Sequence, residues 1–291
     1  MSVLPSSASA SAKYMGSVIR NGTADGARFQ KFFECWLVEQ NQHLQELLSA
    51  SRDRNNNASA ARTESTREEE ERVLRPLINR VIRHYEDYYR AKSRCAKQDA
   101  LSMLSPSWIT TLEDAFLWIG GWRPTMAFHL LYSKSGLQLE ARLSDIIRGL
   151  STGDLADLSP RQLAQVDELQ RRTIREEKEI TEKMAKHQET VADSSMVELS
   201  HIVTELMSQN GGVEEERVES VLAPKEEKME KILERADDLR LRTLKGILEI
   251  LYPLQAVHFL IAAAELHLRL HDWGKKRDEQ HHHVVSGTNG N

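Results

Sequence analysis

The sequence predicts an all-α protein, an antiparallel helical bundle of long amphipathic helices. Apolar residues recur three and four apart along most of the chain, and no stretch alternates as a half-buried strand would. Only 14 Gly and 7 Pro interrupt 291 residues, too few for the many turns of a β architecture. Apolar residues make up 40% and charged residues 29%, a balance that suits one large water-soluble helical domain.

Residues 1–27 are rich in Ser, Ala and Gly and carry too little apolar surface to offset the entropy of ordering, so a disordered N-terminal arm is expected. The helical domain is placed at 28–274. Phe29, Phe32, Phe33, Trp36, Leu44, Leu47 and Leu48 predict a first helix with an aromatic face. A polar linker is expected over 51–67, which includes Asn55, Asn56 and Asn57. Val73, Leu74, Leu77, Ile78 and Val81 mark a second helix from Glu68 to Gln98, with Pro76 absorbed as an early kink.

A helix from Trp108 to Ile119 should stop at Gly120-Gly121, where a left-handed residue is needed, and Pro124 should restart a helix reaching Leu150. Ser159-Pro160 reads as an N-cap followed by an N1 proline, opening a helix to about Ala192. A short helix follows from Met196 to Met207, and Pro224 is expected to open another long one, interrupted by Pro253. Leu254 to Trp273 is apolar nearly all round and therefore expected at the centre. Gly274 should end it, leaving 275–291 as a flexible tail.

Lys and Arg number 39 against 44 Asp and Glu, a net charge of −5, so the chain lacks the basic balance that phosphate binding demands. Arg72 to Lys97 is the local exception, with eight basic residues against two acidic ones. That helix suits calmodulin-type recognition through Arg75, Arg80 and Arg83, or contact with nucleic-acid phosphate. Alternatively, its cations meet the acidic run Glu68 to Glu71 and acidic neighbouring helices. Cys35 and Cys95 form no CxxC, so neither a disulfide framework nor a cysteine zinc site is expected, and a reducing compartment fits. With no basic and apolar leader at the start and no run of eighteen apolar residues, the nucleus and cytoplasm are the expected locations, without membrane association.

The G-x-S-x-G, P-loop and HExxH patterns are absent, so no catalytic residues and no enzyme activity are expected. Glu113-Asp114 and Asp237-Asp238 read as solvated surface acids. His267 and His271, four apart, project two imidazoles from one helix face, either as hydrogen-bonded seam residues or as ligands. Two ligands do not complete a metal site, and none is expected. For haem, one of the two with a ligand from elsewhere is the better geometry. The His281-His282-His283 run is given no function. The aromatic helix Phe29 to Leu48 is either core or a detachable partner-binding element.

Several stretches together resemble the plant Delay of Germination domain family. They are Leu117-Trp118-Ile119-Gly120-Gly121-Trp122-Arg123-Pro124-Thr125, Leu158-Ser159-Pro160-Arg161-Gln162-Leu163, and Ala236-Asp237-Asp238-Leu239-Arg240 through Leu251-Tyr252-Pro253-Leu254-Gln255-Ala256 to His271-Asp272-Trp273-Gly274. The resemblance covers about residues 29–274. It implies a regulator that works through contacts in seed dormancy and abscisic acid signalling or a related developmental process. It also implies haem at His267 and His271, and type 2C protein phosphatases as partners. Phe33-Glu34-Cys35-Trp36-Leu37 loosely matches the family's phosphatase-contact motif, which nominates Phe33, Trp36 and Leu37. Calmodulin is implied for the basic helix. The same domain forms the C-terminal region of bZIP factors that bind TGACG elements, so bZIP partners or self-association are further implications. Met1 to Arg28 holds neither basic region nor zipper, and direct DNA binding is not expected.

Overall fold

The structure, a computed structural model, describes residues 26–57, 64–141, 154–208 and 215–288. The elements are α1 (Gly26–Asn57), α2 (Glu64–Ala96), α3 (Ala100–Leu104), α4 (Thr111–Asp114), α5 (Met126–Ala141), α6 (Pro160–Glu189), α7 (Ser194–Ser208), α8 (Glu215–Ile250) and α9 (Pro253–Thr288). Short 3₁₀ turns at Leu155–Asp157 and Thr190–Ala192 bracket α6. The fold is all-α, as the periodicity predicts, and no named strand occurs among the described residues.

Helices α6 and α8, and likewise α1 and α2, run antiparallel, and their pairings show it. Along α6 and α8, Gln162 meets Ile250, Thr173 meets Thr243 and Glu176 meets Arg242, and just past the end of α6 Asp193 meets Lys225. Along α1 and α2, Phe29 meets Tyr88, Gln40 meets Tyr85 and Glu46 meets Arg80. The apolar first half of α9 is the central element. Ala256, Val257, Phe259, Leu260 and Ile261 are buried against Leu47 of α1, Ile78 of α2, Phe128 of α5 and Ile247 of α8. A second cluster is aromatic, with Phe29, Phe32, Phe33 and Trp36 packed on Trp108, Met103 and Leu233.

Local capping explains the clearest boundaries. Ser159 is the N-cap of α6, forms a reciprocal capping box with Gln162, and precedes Pro160 at the first helical position. Gly120 takes φ +67°, the left-handed conformation expected there, and Ile119 beside it also lies at positive φ, +46°.

Other boundaries differ from expectation. Residues 1–25 lie outside the described residues, but Gly26 and Ala27 are already helical. The polar linker expected over 51–67 is narrower, because α1 continues to Asn57 and α2 begins at Glu64, with 58–63 outside the described residues. Packing overrides weak propensity here: Ala50 rests on the core and Ser51 is buried. The expected helix Trp108–Ile119 shrinks to α4, since Thr110 adopts extended backbone as its N-cap. Helix α5 begins at Met126, and the segment 142–150 lies outside the described residues. Pro224 falls inside α8, not at its start, and Lys225 beside it is anchored to Thr190 O and Asp193.

The end of the last helix departs most from expectation. Helix α9 runs straight through Gly274 to Thr288. Gly274 is a packing glycine, because a Cβ there would sit 2.0 Å from Thr110 Oγ1. Beyond it, Asp278 accepts hydrogen bonds from the Thr111 backbone N–H (3.0 Å) and hydroxyl, a tertiary tie that no local pattern announces.

Candidate functional site

Helix α9 passes α1 in antiparallel register, so Trp36 contacts His267 and Phe33 contacts His271 one turn further on. The two histidines differ in surroundings. His271 is buried, and its Nδ1 lies 3.0 Å from Glu113 Oε2 and 3.2 Å from Oε1. Glu113 belongs to the capping box of α4, accepting from the Thr110 N–H at 2.8 Å and the Thr110 hydroxyl at 2.7 Å. Burial opposes ionisation of Glu113, but the bonds from His271 and Thr110 outweigh it and hold its pKa below the ordinary value. The ionised carboxylate can only accept, so the His271 Nδ1–H donates to it, and Nε2 makes no bond to the protein among the described residues.

His267 lies against Trp36 (ring centres 5.4 Å) and Phe33 (6.5 Å). Desolvation lowers its pKa to about 4; Glu113 pulls the other way, while His271 and His84 reinforce the loss. Its ring is neutral near pH 7.

Two recesses meet at Phe33, Trp108 and Ile109. An open groove of about 730 Å³ runs between α1 and α9, with Phe33, Leu37, Val38 and Leu268 as apolar wall, His271 beside them, and Glu34, Asp272 and Glu279 at the rim. Behind it lies an aromatic cavity of about 230 Å³ that His267 lines.

The nominated residues are thus only partly brought together. Leu37 and His271 line the groove, and His267 faces the cavity. Phe33 and Trp36 are 3% and 2% exposed, so in this conformation the aromatic helix packs as core, one of the two readings its sequence allows. Trp36 stacks on His84 with ring centres 4.5 Å apart and planes 5° from parallel, and its Nε1 donates to His84 O at 3.2 Å. Of the basic helix, Arg75 pairs with Glu71 (2.7 Å) and Arg80 with Glu46 (2.8 Å). Arg83 bonds only its own helix, through Asn79 O at 3.3 Å. Two of the three cations therefore meet acidic neighbours, and none joins the groove.

Reading the paired acids as solvated fails for one member of each pair. Glu113 and Asp237 are buried, whereas Asp114 and Asp238 are exposed. Asp237 sits between Lys92 (3.0 Å) and the fully buried Arg240. Those cations serve the turn that joins α4 to α5. Lys92 Nζ donates to Gly120 O at 2.6 Å, and Arg240 donates to the carbonyls of Trp118, Ile119 (2.9 Å) and Trp122 (2.6 Å). Gly120 is needed twice, for its positive φ and because a Cβ would lie 2.5 Å from Met103 O. One signal was available in the sequence: Arg240 falls in the apolar register of Leu233, Ala236, Leu244 and Ile247.

No group of three His, Cys, Asp or Glu side chains among the described residues is placed to hold a metal. Burial pushes the Cys95 thiol up to about 11 and raises that of Cys35, so neither is an activated nucleophile. Among the described residues no helix is long and apolar enough to cross a membrane.

Fold and site together define an all-α helical bundle with an open groove beside a buried histidine–carboxylate pair. Residues 43–133 match the family described as seed dormancy control, DOG1. The chain is 35% identical to Protein DOG1-like 3 of Arabidopsis thaliana over 223 residues, covering 74% of this chain and 77% of that one. It is 32% identical to Protein DOG1-like 4 of the same plant over 250 residues, 86% of this chain and 93% of that one. The chain belongs to the DOG1-like family. It is also 27% identical to the TGACG-sequence-specific DNA-binding protein TGA-2.1 of Nicotiana tabacum, covering 89% of this chain but 49% of that one. The similarity thus extends to a TGACG-sequence-specific DNA-binding protein, in keeping with the sequence resemblance.

Proposed function

We propose that this chain is a non-catalytic regulator that acts by protein–protein contact in seed dormancy, abscisic acid signalling or a related developmental process, in the nucleus and cytoplasm. The observation that carries the reading is the groove between α1 and α9, where Leu37 and Val38 stand beside His271 within a charged rim. A concave apolar wall with a few convergent polar groups is the usual form of a recognition site. Val38 is 60% exposed, an apolar side chain free to be covered by a partner. Type 2C protein phosphatases are the partners to try first, by the family resemblance.

Haem is the cofactor the resemblance implies, and the residues fit it on one side. His271 has its Nδ1 fixed by a carboxylate, the arrangement that orients ligating histidines, and lines a groove open to a large group. His267 fits less well, because its cavity of about 230 Å³ lies below the usual range for cofactor sites. Bound there, haem would supply a redox- or gas-responsive iron.

Pull-down of phosphatases with Leu37→Glu and Val38→Glu tests the contact: loss of capture supports it, and unchanged capture by both removes the groove. A Soret band that vanishes in His271→Ala but persists in His267→Ala supports the haem reading, and no band in the wild type ends it.

A second reading is that the chain reaches TGACG DNA through a bZIP partner. It is favoured by the similarity to TGA-2.1 and to Transcription factor TGA2 of Arabidopsis thaliana. Co-purification with a TGA factor, and a gel shift that needs that factor, are its expected outcomes. Calmodulin stands behind these, since Arg75 and Arg80 are already ion-paired; calcium-dependent retention lost in Arg80→Glu/Arg83→Glu is its test.

A further inference from the structure

The cavity behind the groove has unusual chemistry for a packing defect. Its walls are almost wholly apolar, among them Trp36, Trp122, Phe259 and Ala263. Most polar groups around it are already satisfied. Trp122 Nε1 donates to the Tyr89 hydroxyl at 2.8 Å, Gln40 donates to the Tyr85 hydroxyl at 2.9 Å, and Lys92 is held by Gly120 O and Asp237. Two are not. Neither the Tyr88 hydroxyl nor the His267 ring has a hydrogen-bond partner among the described residues, although both side chains line the cavity.

These two residues are also deep. Desolvation holds the Tyr88 phenol well above its ordinary value and the His267 imidazole well below its own. Yet each keeps some accessible surface, and with protein packed around both, that surface opens on the cavity. They flank one indole, with ring centres 5.0 Å (Tyr88) and 5.4 Å (His267) from Trp36. Two polar groups that open on an apolar recess and make no bond within the protein are left to bond an occupant, and each such bond would favour binding.

Size and polarity narrow the occupant. An apolar cavity of about 150 Å³ takes benzene, so one of about 230 Å³ has room for two fused rings. A carboxylate would find the nearby cations Lys92 and Arg240 already committed to Asp237 and to backbone carbonyls, and would be desolvated without repayment. We propose that the cavity binds a small neutral aromatic molecule of one or two rings carrying a hydroxyl, the rings against Trp36, Trp122 and Phe259 and the hydroxyl on Tyr88 and His267. The cavity adjoins the groove at Phe33, Trp108 and Ile109, but the bonds proposed in it are to Tyr88 and His267 and not to His271, so its test is read separately from that of the proposed function.

The experiment uses the full chain and 2-naphthol as probe, with naphthalene and 2-naphthoate as comparators, read by calorimetry, tryptophan fluorescence and thermal melting. 2-Naphthol should raise the melting temperature and quench tryptophan emission. Naphthalene and 2-naphthoate should each bind about tenfold more weakly. Tyr88→Phe keeps the ring and removes only the hydroxyl, and should weaken 2-naphthol about fivefold while leaving naphthalene unchanged. Ala263→Leu fills the cavity and should abolish binding; should that variant not fold, Tyr88→Phe decides alone. The proposal is overturned if 2-naphthol fails to bind the wild type, if naphthalene or 2-naphthoate binds as well, or if Tyr88→Phe leaves the 2-naphthol affinity unchanged.

Discussion

His271 and Glu113 are 158 residues apart in sequence, yet the His271 Nδ1 meets Glu113 Oε2 at 3.0 Å inside the bundle. The pair joins the C-terminal helix to the four-residue helix α4, and Glu113 also closes the α4 capping box. Glu113→Ala removes both roles at once and is expected to lower stability by about 2–3 kcal/mol in urea unfolding. Glu113→Gln keeps an acceptor and should lose less.

The stability of the protein is expected to fall on acidification through two successive windows. His267 has a folded pKa of about 4 against an ordinary 6.5. The unfolded chain takes up this proton first, so stability present above pH 6.5 is lost as pH drops from 6.5 toward 4. Glu113, held below its ordinary 4.5 in the fold, adds a loss that begins as the unfolded carboxyl protonates near and below 4.5. Thermal melting of His267→Phe should show the first window flattened and the second retained.

Asp237 and Asp238 are neighbours with opposite environments, and substitution should separate them. Asp237→Ala leaves Lys92 and Arg240 buried without their counter-ion and is expected to cost about 3–5 kcal/mol in urea unfolding. Asp238→Ala removes only a surface pair with Arg242 and should change stability by less than about 0.5 kcal/mol.

Two helix glycines should respond in opposite directions. Gly274→Ala drives a methyl into Thr110 and is expected to destabilise by about 1–3 kcal/mol, with α4 loosened in hydrogen exchange. Gly136, in α5, has no neighbour within 4 Å of an added Cβ, so Gly136→Ala should stabilise by about 0.5–1 kcal/mol.

Much of the architecture was legible because its causes are local. The three-and-four spacing of Leu74, Leu77, Ile78 and Val81 is enough to turn one face of α2 inward. Ser159, Pro160 and Gln162 write the start of α6 within four residues, and Gly120 announces its positive φ. Boundaries went astray where a distant contact decides them. Asp278 holds α9 past Gly274 by bonding Thr111, and Thr110, by starting α4, shortens the helix expected from Trp108. The candidate site was half legible. The i,i+4 spacing singled out His267 and His271, but their division between cavity and groove depends on how α1 and α4 meet α9.

The sequence by itself determined that this protein is helical, which faces its helices bury, and where the best-capped of them begins, because periodicity and capping act over a few residues. Tertiary structure alone decided which charges go inside and what surrounds each histidine. Asp237 differs from Asp238, and Glu113 from Asp114, in having a buried partner more than a hundred residues away in addition to a local one. A buried ion pair depends on two distant segments meeting in the low-dielectric interior, and no local pattern in the chain records that meeting.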